Sequence, residues 1–280
     1  MPVSFTREVA DVPAAVDEFL APRVERNVLA SLLVHARAGR LAGSGAMFAW
    51  GTGDRGEVRF YATRTPGWPL LVSELGPSDA QALVERWLEE DPRVPGVTGV
   101  PRTVHAVAAA WASCTGGSWD TRMREALHLL SHVREPPRPP AGSLRRAREE
   151  DRELLVEWEH AFVADAGVIA SAAADAERTV ERRLAAGSAY LWQDERPVSM
   201  LGLAPQVAGT VRIGPVYTPP EHRRRGYASA AVAAVCRAAL ARGAHQCMLF
   251  TDLANATSNK IYAAVGFRRV ADWEELEFRR

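Results

Sequence analysis

The stretch "VYTPPEHRRRGYASAAVAAVCRAAL", Val216 to Leu240, decides how this chain folds. Two prolines, three consecutive arginines and a glycine stand directly in front of a long alanine-rich helical pattern. A helix macrodipole already makes its amino terminus positive, so an arginine cluster there is destabilising unless an anion neutralises it. Immediately upstream "TVRIGPVY" (210–217) reads as a strand, and downstream the helix 226–242 closes at Gly243 before the apolar strand "QCMLFTD" (246–252). A strand, helix, strand crossover makes the two strands parallel and puts the helix amino terminus at the carboxyl edge of the sheet, where open α/β sheets bind ligands. The arginine loop falls at that edge.

Working outward, "LRRA" (144–147) reads as a strand, 149–166 as an amphipathic helix with Leu154, Leu155, Trp158 and Phe162 on one face, and 173–186 as a second helix. "SAYLWQ" (188–193) and "PVSMLGLAP" (197–205) flank "DERP" as a hairpin, and "WEELEF" (273–278) is the last strand. In the first half the order repeats: a hairpin over about 45–63, a strand at "PLLVSE", a helix 78–90, a strand at "VTGV", a helix 101–113 and a strand at "RMREALHLL". Residues 1–44 receive no element. "REPPRPPAGS" (134–143) has four prolines in ten residues and reads as an extended linker that divides the chain.

Composition bounds the function. The 280 residues are 47% hydrophobic and 24% charged, enough for two domains of about 140 residues each. Formal net charge is zero, so no global field recruits nucleic acid or an anionic membrane, and recognition of phosphate must be local. Lys260 is the only lysine, so basic side chains are nearly all arginine. Cys114, Cys236 and Cys247 are odd in number, widely spaced and set in apolar or small-residue runs, which points to buried free thiols in a reducing cytoplasm. No secretory signal and no membrane-length apolar run is read. His128 and His132 have the spacing of a helical zinc pair, but their surroundings read as strand and no metal is expected. Trp111, Trp158 and Trp192 lack the interleaved basic residues of a nucleic-acid platform and read as core.

Two constellations carry chemistry. Arg223, Gly226 and Ala228 form R-x-x-G-x-A at a strand-to-helix turn. Small residues let backbone N–H groups approach a bulky anion, and arginines add charge-assisted bonds to a pyrophosphate; the alternative is a solvated basic turn. In "NATSNKIYAAVGF" (255–267), Ser258 and Tyr262 share a helix face, and Asn255 stands at the cap.

These two motifs resemble those of the GNAT superfamily of acyl-CoA-dependent N-acyltransferases. "RRRGYA" fits its R/Q-x-x-G-x-G/A phosphate loop and "NATSNKIYAAVGF" its N-x-x-(A/S)-x-x-(L/I)-Y-x-x-x-G-F helix, in the same order. The resemblance covers about 143–280 and implies an α/β (α+β) fold of tandem mixed sheets, each flanked by helices: a degenerate copy without cofactor over 1–133, the linker 134–142 and an acetyltransferase domain over 143–280. It implies that the backbone of Val216, Tyr217 and Thr218 holds the pantetheine arm of acetyl-CoA. Arg223, Arg224, Arg225, Gly226, Tyr227, Ala228 and Ser229 would wrap the pyrophosphate, Asn255 and Ser258 would contact the cofactor, and Tyr262 would protonate the departing thiolate. Ala228 stands where glycine is common, and 210–217 lacks the glutamate some members use as base. Glu157, His160 and Asp165 could line an acceptor pocket, but the base is left unassigned. The expected acceptor is the primary amine of a small molecule, with a non-catalytic acyl-CoA sensor as the alternative. The first half is expected to wall the amine pocket, and a monomer is expected in preference to a homodimer. In the first half Glu74 and Asp79 replace basic residues before the helix 78–90, and no Asn and Tyr pair follows.

Overall fold

The computed structural model describes residues 2–136, 138–167 and 176–280. It resolves into two compact units, residues 1–127 with 271–280, and residues 128–270. The expected division at a proline-rich linker is therefore corrected: it falls within one strand near 127 and within another near 270.

In the first unit β1 (Val3–Thr6), β2 (Met47–Thr52), β3 (Val58–Arg64) and β4 (Leu70–Val72) run antiparallel in order, and β4 pairs in parallel with β5 (Gly96–Gly99). The β4–β5 crossover is α3 (Pro77–Glu90); α1 (Ala14–Leu20), α2 (Asn27–Arg37) and α4 (Pro101–Thr115) complete its helices. β1, α1 and α2 were not read from the sequence. Helical spacing places Leu83 and Trp87 of α3 and Val104, Val107 and Trp111 of α4 in one core with Phe60 and Val97. The strand β6 (Ser118–Leu130) begins in this unit.

The last strand, β12 (Arg268–Arg279), was assigned by sequence to the second half, and the structure corrects this. Residues 271–280 belong to the first unit, where Glu274–Glu277 pair antiparallel with Gly99–Gly96. Leu276 is fully buried in the first core, Phe278 stacks on Trp111 at 4.3 Å, and the Trp273 indole N–H donates to Thr98 Oγ1 at 2.8 Å. The approach is close enough that a Cβ on Gly96 would stand 2.1 Å from the Leu276 carbonyl oxygen.

The second unit orders its strands as β11 (Gln246–Asp252), β10 (Thr210–Tyr217), β9 (Arg196–Leu203), β8 (Ala189–Asp194) and β7 (Ser143–Arg146). All neighbours are antiparallel except β10 and β11. The helix α5 (Arg152–Ala166) starts at Asp151, whose carboxylate accepts the Arg148 N–H at 2.8 Å and a two-pronged contact from Arg145 at 2.7 and 2.8 Å. Hydrogen bonding from Arg145 holds that carboxyl below its ordinary range. Next comes α6 (Ala176–Ala185); the start expected at 173 lies outside the described residues. One core, with Leu155, Trp158, Val180 and Met200, lies under α5 and α6. The other gathers α7 (Tyr227–Ala241) and α8 (Ala256–Val265) around Ala231, Val235, Cys236 and Val265.

The proline-rich segment is pinned to this unit: Arg134 N–H donates to the Val265 carbonyl at 2.8 Å and the Trp192 indole to the Ala141 carbonyl at 2.9 Å. Of the cysteines, Cys236 and Cys247 are buried as expected, whereas Cys114, near the end of α4, is exposed. His128 lies in β6 and His132 in the bend after it. No helix among the described residues is long and apolar enough to cross a membrane.

Candidate active site

The carboxyl halves of β10 and β11 part. Their parallel pairing runs Thr210↔Gln246, Val211↔Cys247 and Arg212↔Met248 and ends there, although the strands continue to Tyr217 and Asp252. On its other edge β10 stays attached to β9 through a bulge, with Ile213 opposite Leu203 and Val216 opposite Leu201. The bulge sets the extra residue around Gly214 and Pro215, which bends the strand away from its parallel neighbour. The Tyr217 carbonyl accepts the buried Ser199 hydroxyl at 3.0 Å, so it points toward β9. By alternation along the strand, the backbone polar groups of Val216 point toward the parted side. Thr218 is held by its hydroxyl contact to Ser199 at 2.9 Å and by Arg223 Nε donating to its carbonyl at 2.9 Å.

Beyond β10 a single turn of 3-10 helix (Pro220–His222) leads into the arginine loop. Arg224 and Gly226 both have left-handed backbone, φ 61° and 85°. A non-glycine residue in that region costs about 1–2 kcal/mol, and such strain collects at ligand-binding turns. The sequence reading credited Gly226 with allowing close approach. The structure adds a second reason: the positive φ itself favours glycine, while the nearest protein atom to a Cβ there would be Pro140 at 3.7 Å. Helix α7 then begins with no side-chain cap, and among the described residues the N–H groups from Arg224 to Ser229 find no acceptor. These donors, with the exposed Arg224 and Arg225, form a basic turn suited to a multiply charged anion.

Two loop residues are engaged elsewhere. Arg223 pairs with Asp165 at 2.5 Å as well as with the Thr218 carbonyl, and lies over the Tyr217 ring at 5.8 Å. The Tyr227 ring is buried and its hydroxyl donates to Asp194 Oδ2 at 2.6 Å, with the Arg225 guanidinium beside it. Asp165 is thereby tied to the arginine loop, and Glu157 and His160 are exposed on α5.

At the carboxyl end of β11, Asn255 caps α8: its Oδ1 accepts the Ser258 N–H at 3.0 Å, leaving Nδ2 as its free donor. Tyr262, one turn beyond Ser258, is 9% exposed and packs edge-on against Phe267 at 5.9 Å. Burial, with a smaller push from Cys236, raises its hydroxyl to about 12. That hydroxyl has no hydrogen-bond partner among the described residues. Sequence reasoning missed Asn259, which bonds both the strand end and the cap; its place four residues after Asn255 was the available signal. Among the described residues no group of three or more His, Cys, Asp or Glu is arranged to hold a metal ion.

Parted parallel strands, each followed by a helix start, leave an open sheet edge between two helix amino termini. Residues 141–267, somewhat under half of the chain, match the family model described as acetyltransferase (GNAT) family. The chain as a whole is similar in fold to a GNAT-family acetyltransferase from Colwellia psychrerythraea, with TM-score 0.62 and 10% identity over 100% of this chain and 99% of that one. It is similar to a GCN5-related N-acetyltransferase from Sphaerobacter thermophilus, with TM-score 0.63 and 17% identity over 99% and 95%. A tandem GNAT protein from the clavulanic acid biosynthesis pathway aligns with TM-score 0.60 and 12% identity over 99% and 98%. At these identities the likeness is one of fold. No curated protein sequence matches this chain.

Proposed function

We propose that the segment matching the GNAT family moves an acetyl group from acetyl-CoA to a primary amine of a small molecule by direct attack on the thioester. The observation that carries this reading is the parting of β10 from β11 beyond Arg212 and Met248, between two helix starts that each follow one of those strands. Acetyl-CoA is a substrate here. Val216 would pair with its pantetheine amides, with Tyr217 and Thr218 beside it, and the N–H groups from Arg224 to Ser229 with the Arg224 and Arg225 side chains would bind the pyrophosphate. Asn255 Nδ2 and Ser258 would contact the arm near the thioester.

In the reaction the neutral amine nitrogen attacks the carbonyl carbon, the C–N bond forms, the C–S bond breaks, the thiolate takes a proton from Tyr262, and the proton shed by the new amide nitrogen passes through solvent to restore the Tyr262 hydroxyl. Roughly one aliphatic amine in a thousand is neutral at pH 7, so its proton must also be removed. With Glu157 and His160 exposed and Asp165 paired to Arg223, we assign that step to water at the parted strands. Thiol release from acetyl-CoA across a panel of amino acids, polyamines, aminoglycosides and peptides tests the reading. Tight binding with no release on any of them would replace it with the sensor alternative.

The loop reading has its own test. Gly226→Val forces a β-branched residue into left-handed backbone and should weaken acetyl-CoA binding by more than about tenfold while circular dichroism stays native. Calorimetry showing unchanged affinity would remove the loop from the site.

We further propose that the first unit is a degenerate copy that binds no cofactor. Its strands β4 and β5 stay close at their ends, since a Cβ on Gly99 would lie 3.0 Å from the Val72 carbonyl. Asp79 in the first turn of α3 pairs with Arg59 at 2.7 Å and Glu74 with Arg26 at 2.8 Å, so carboxylates already occupy that helix start. Titration should give one acetyl-CoA per chain, and a stoichiometry of two would refute the assignment. We expect a monomer working in the cytoplasm, where three free cysteines stay reduced.

A further inference from the structure

We propose that Asn259 is a positioning residue for the acetyl-CoA site, holding the end of β11 and the start of α8 in the geometry that aims Asn255; the inference rests on the acyl-transfer reading. Its Nδ2 donates to the Asp252 carbonyl at 3.1 Å and to the Asn255 carbonyl at 2.9 Å. Its Oδ1 accepts from the hydroxyl of Thr251, which is buried. One side chain therefore ties the last two residues of the strand to the cap residue of the helix, across the exposed segment 253–255.

The physical need for this tie follows from the parting of the strands. Past Met248 the edge of β11 facing β10 has no ladder bonds, so Thr251 and Asp252 lack the support that usually fixes a strand end on that side. Side-chain bonds take that place: Asn259 on one side, and Asp252 Oδ1 accepting the Ala254 N–H at 2.8 Å on the other. Asn255 has spent its Oδ1 on Ser258, so the direction of its remaining Nδ2 is set by the backbone that Asn259 holds. Tyr262 follows Asn259 by three residues on the same short helix, so a shift of the helix start moves its hydroxyl as well.

Asn259→Asp is the decisive variant. It keeps size and the acceptor for Thr251, but turns a donor into an anion facing two carbonyl oxygens. With the full chain, acetyl-CoA binding by calorimetry and steady-state rates should show Kd and KM for acetyl-CoA raised about tenfold or more, at temperatures well below unfolding. A merely structural role would lower the melting temperature and leave KM of the folded protein unchanged, and that result overturns the proposal. Should Asn259→Asp fail to fold, Thr251→Val, which removes the hydroxyl that donates to Asn259 and, at 3.3 Å, to the Asp252 carbonyl, decides: KM raised several-fold supports the proposal and an unchanged KM overturns it. If the unaltered chain binds no acetyl-CoA, the acyl-transfer reading falls and this inference with it; normal binding by both the unaltered chain and Asn259→Asp overturns this inference alone.

Discussion

Replacing Tyr262 by phenylalanine is expected to lower turnover by about 10- to 10⁴-fold with acetyl-CoA affinity changed by less than about threefold. The change deletes one hydroxyl that has no protein partner and keeps the ring that packs against Phe267. Burial sharpens the expectation. With the hydroxyl raised to about 12, Tyr262 keeps its proton throughout the neutral range, so a fall in rate below about pH 11 must come from another group. The folded value lies above the unfolded value near 10, so the associated stability is fully present below pH 10 and is lost as pH rises from there through 12. The same shift makes Tyr262 a weaker acid: donation to a thiolate of ordinary pKa near 8.5 would be uphill by about 5 kcal/mol. Transfer is therefore balanced only when the thiolate departs into the same dry surroundings, which raise its own pKa in parallel. Rates limited by chemistry and unchanged in Tyr262→Phe would end its assignment as the acid.

Deleting residues 271–280 is expected to unfold the first unit. It removes the partner of β5, the fully buried Leu276, the stacking of Phe278 on Trp111 and the hydrogen bond from Trp273 to Thr98. Truncating a single buried leucine to alanine costs about 2–5 kcal/mol, against a total domain stability of about 5–15 kcal/mol. Losing a strand with three such anchors exceeds that reserve. Hydrogen exchange should show α3 and α4 unprotected in the truncated chain, and Leu276→Asp should act in the same direction. Native protection of those helices after truncation would contradict the packing described for β12.

What was legible in the sequence is local. The ends of β10 and β11, the start of α7 and the cap at Asn255 follow from runs of apolar residues, prolines, glycines and a short polar side chain, all of which act on neighbours within a few residues. What escaped reading depends on partners far along the chain. "WEELEF" declares a strand but not that its mate is "GVTG", with Glu274 opposite Gly99 and Glu277 opposite Gly96. Arg223 reads as a free charge, yet Asp165, 58 positions away, holds it. The proline-rich segment reads as a linker because its local stiffness is visible, whereas its bonds to Val265 and Trp192 are not. The helices α1 and α2 were lost for no such reason: Val16 and Leu20, and Leu29, Leu33 and Ala36, have plain helical spacing.

The first unit takes its closing strand from residues 271–280, and this has a consequence for biosynthesis. A ribosome completes residue 127, then makes the 143 residues 128–270 before the missing strand exists. At about 5–20 residues per second that interval is roughly 7–30 s. Throughout it β5 offers an unpaired edge, the kind of surface that templates pairing with other chains. The half made first is thus the half finished last, and the nascent protein is most exposed to aggregation and to chaperones during those seconds.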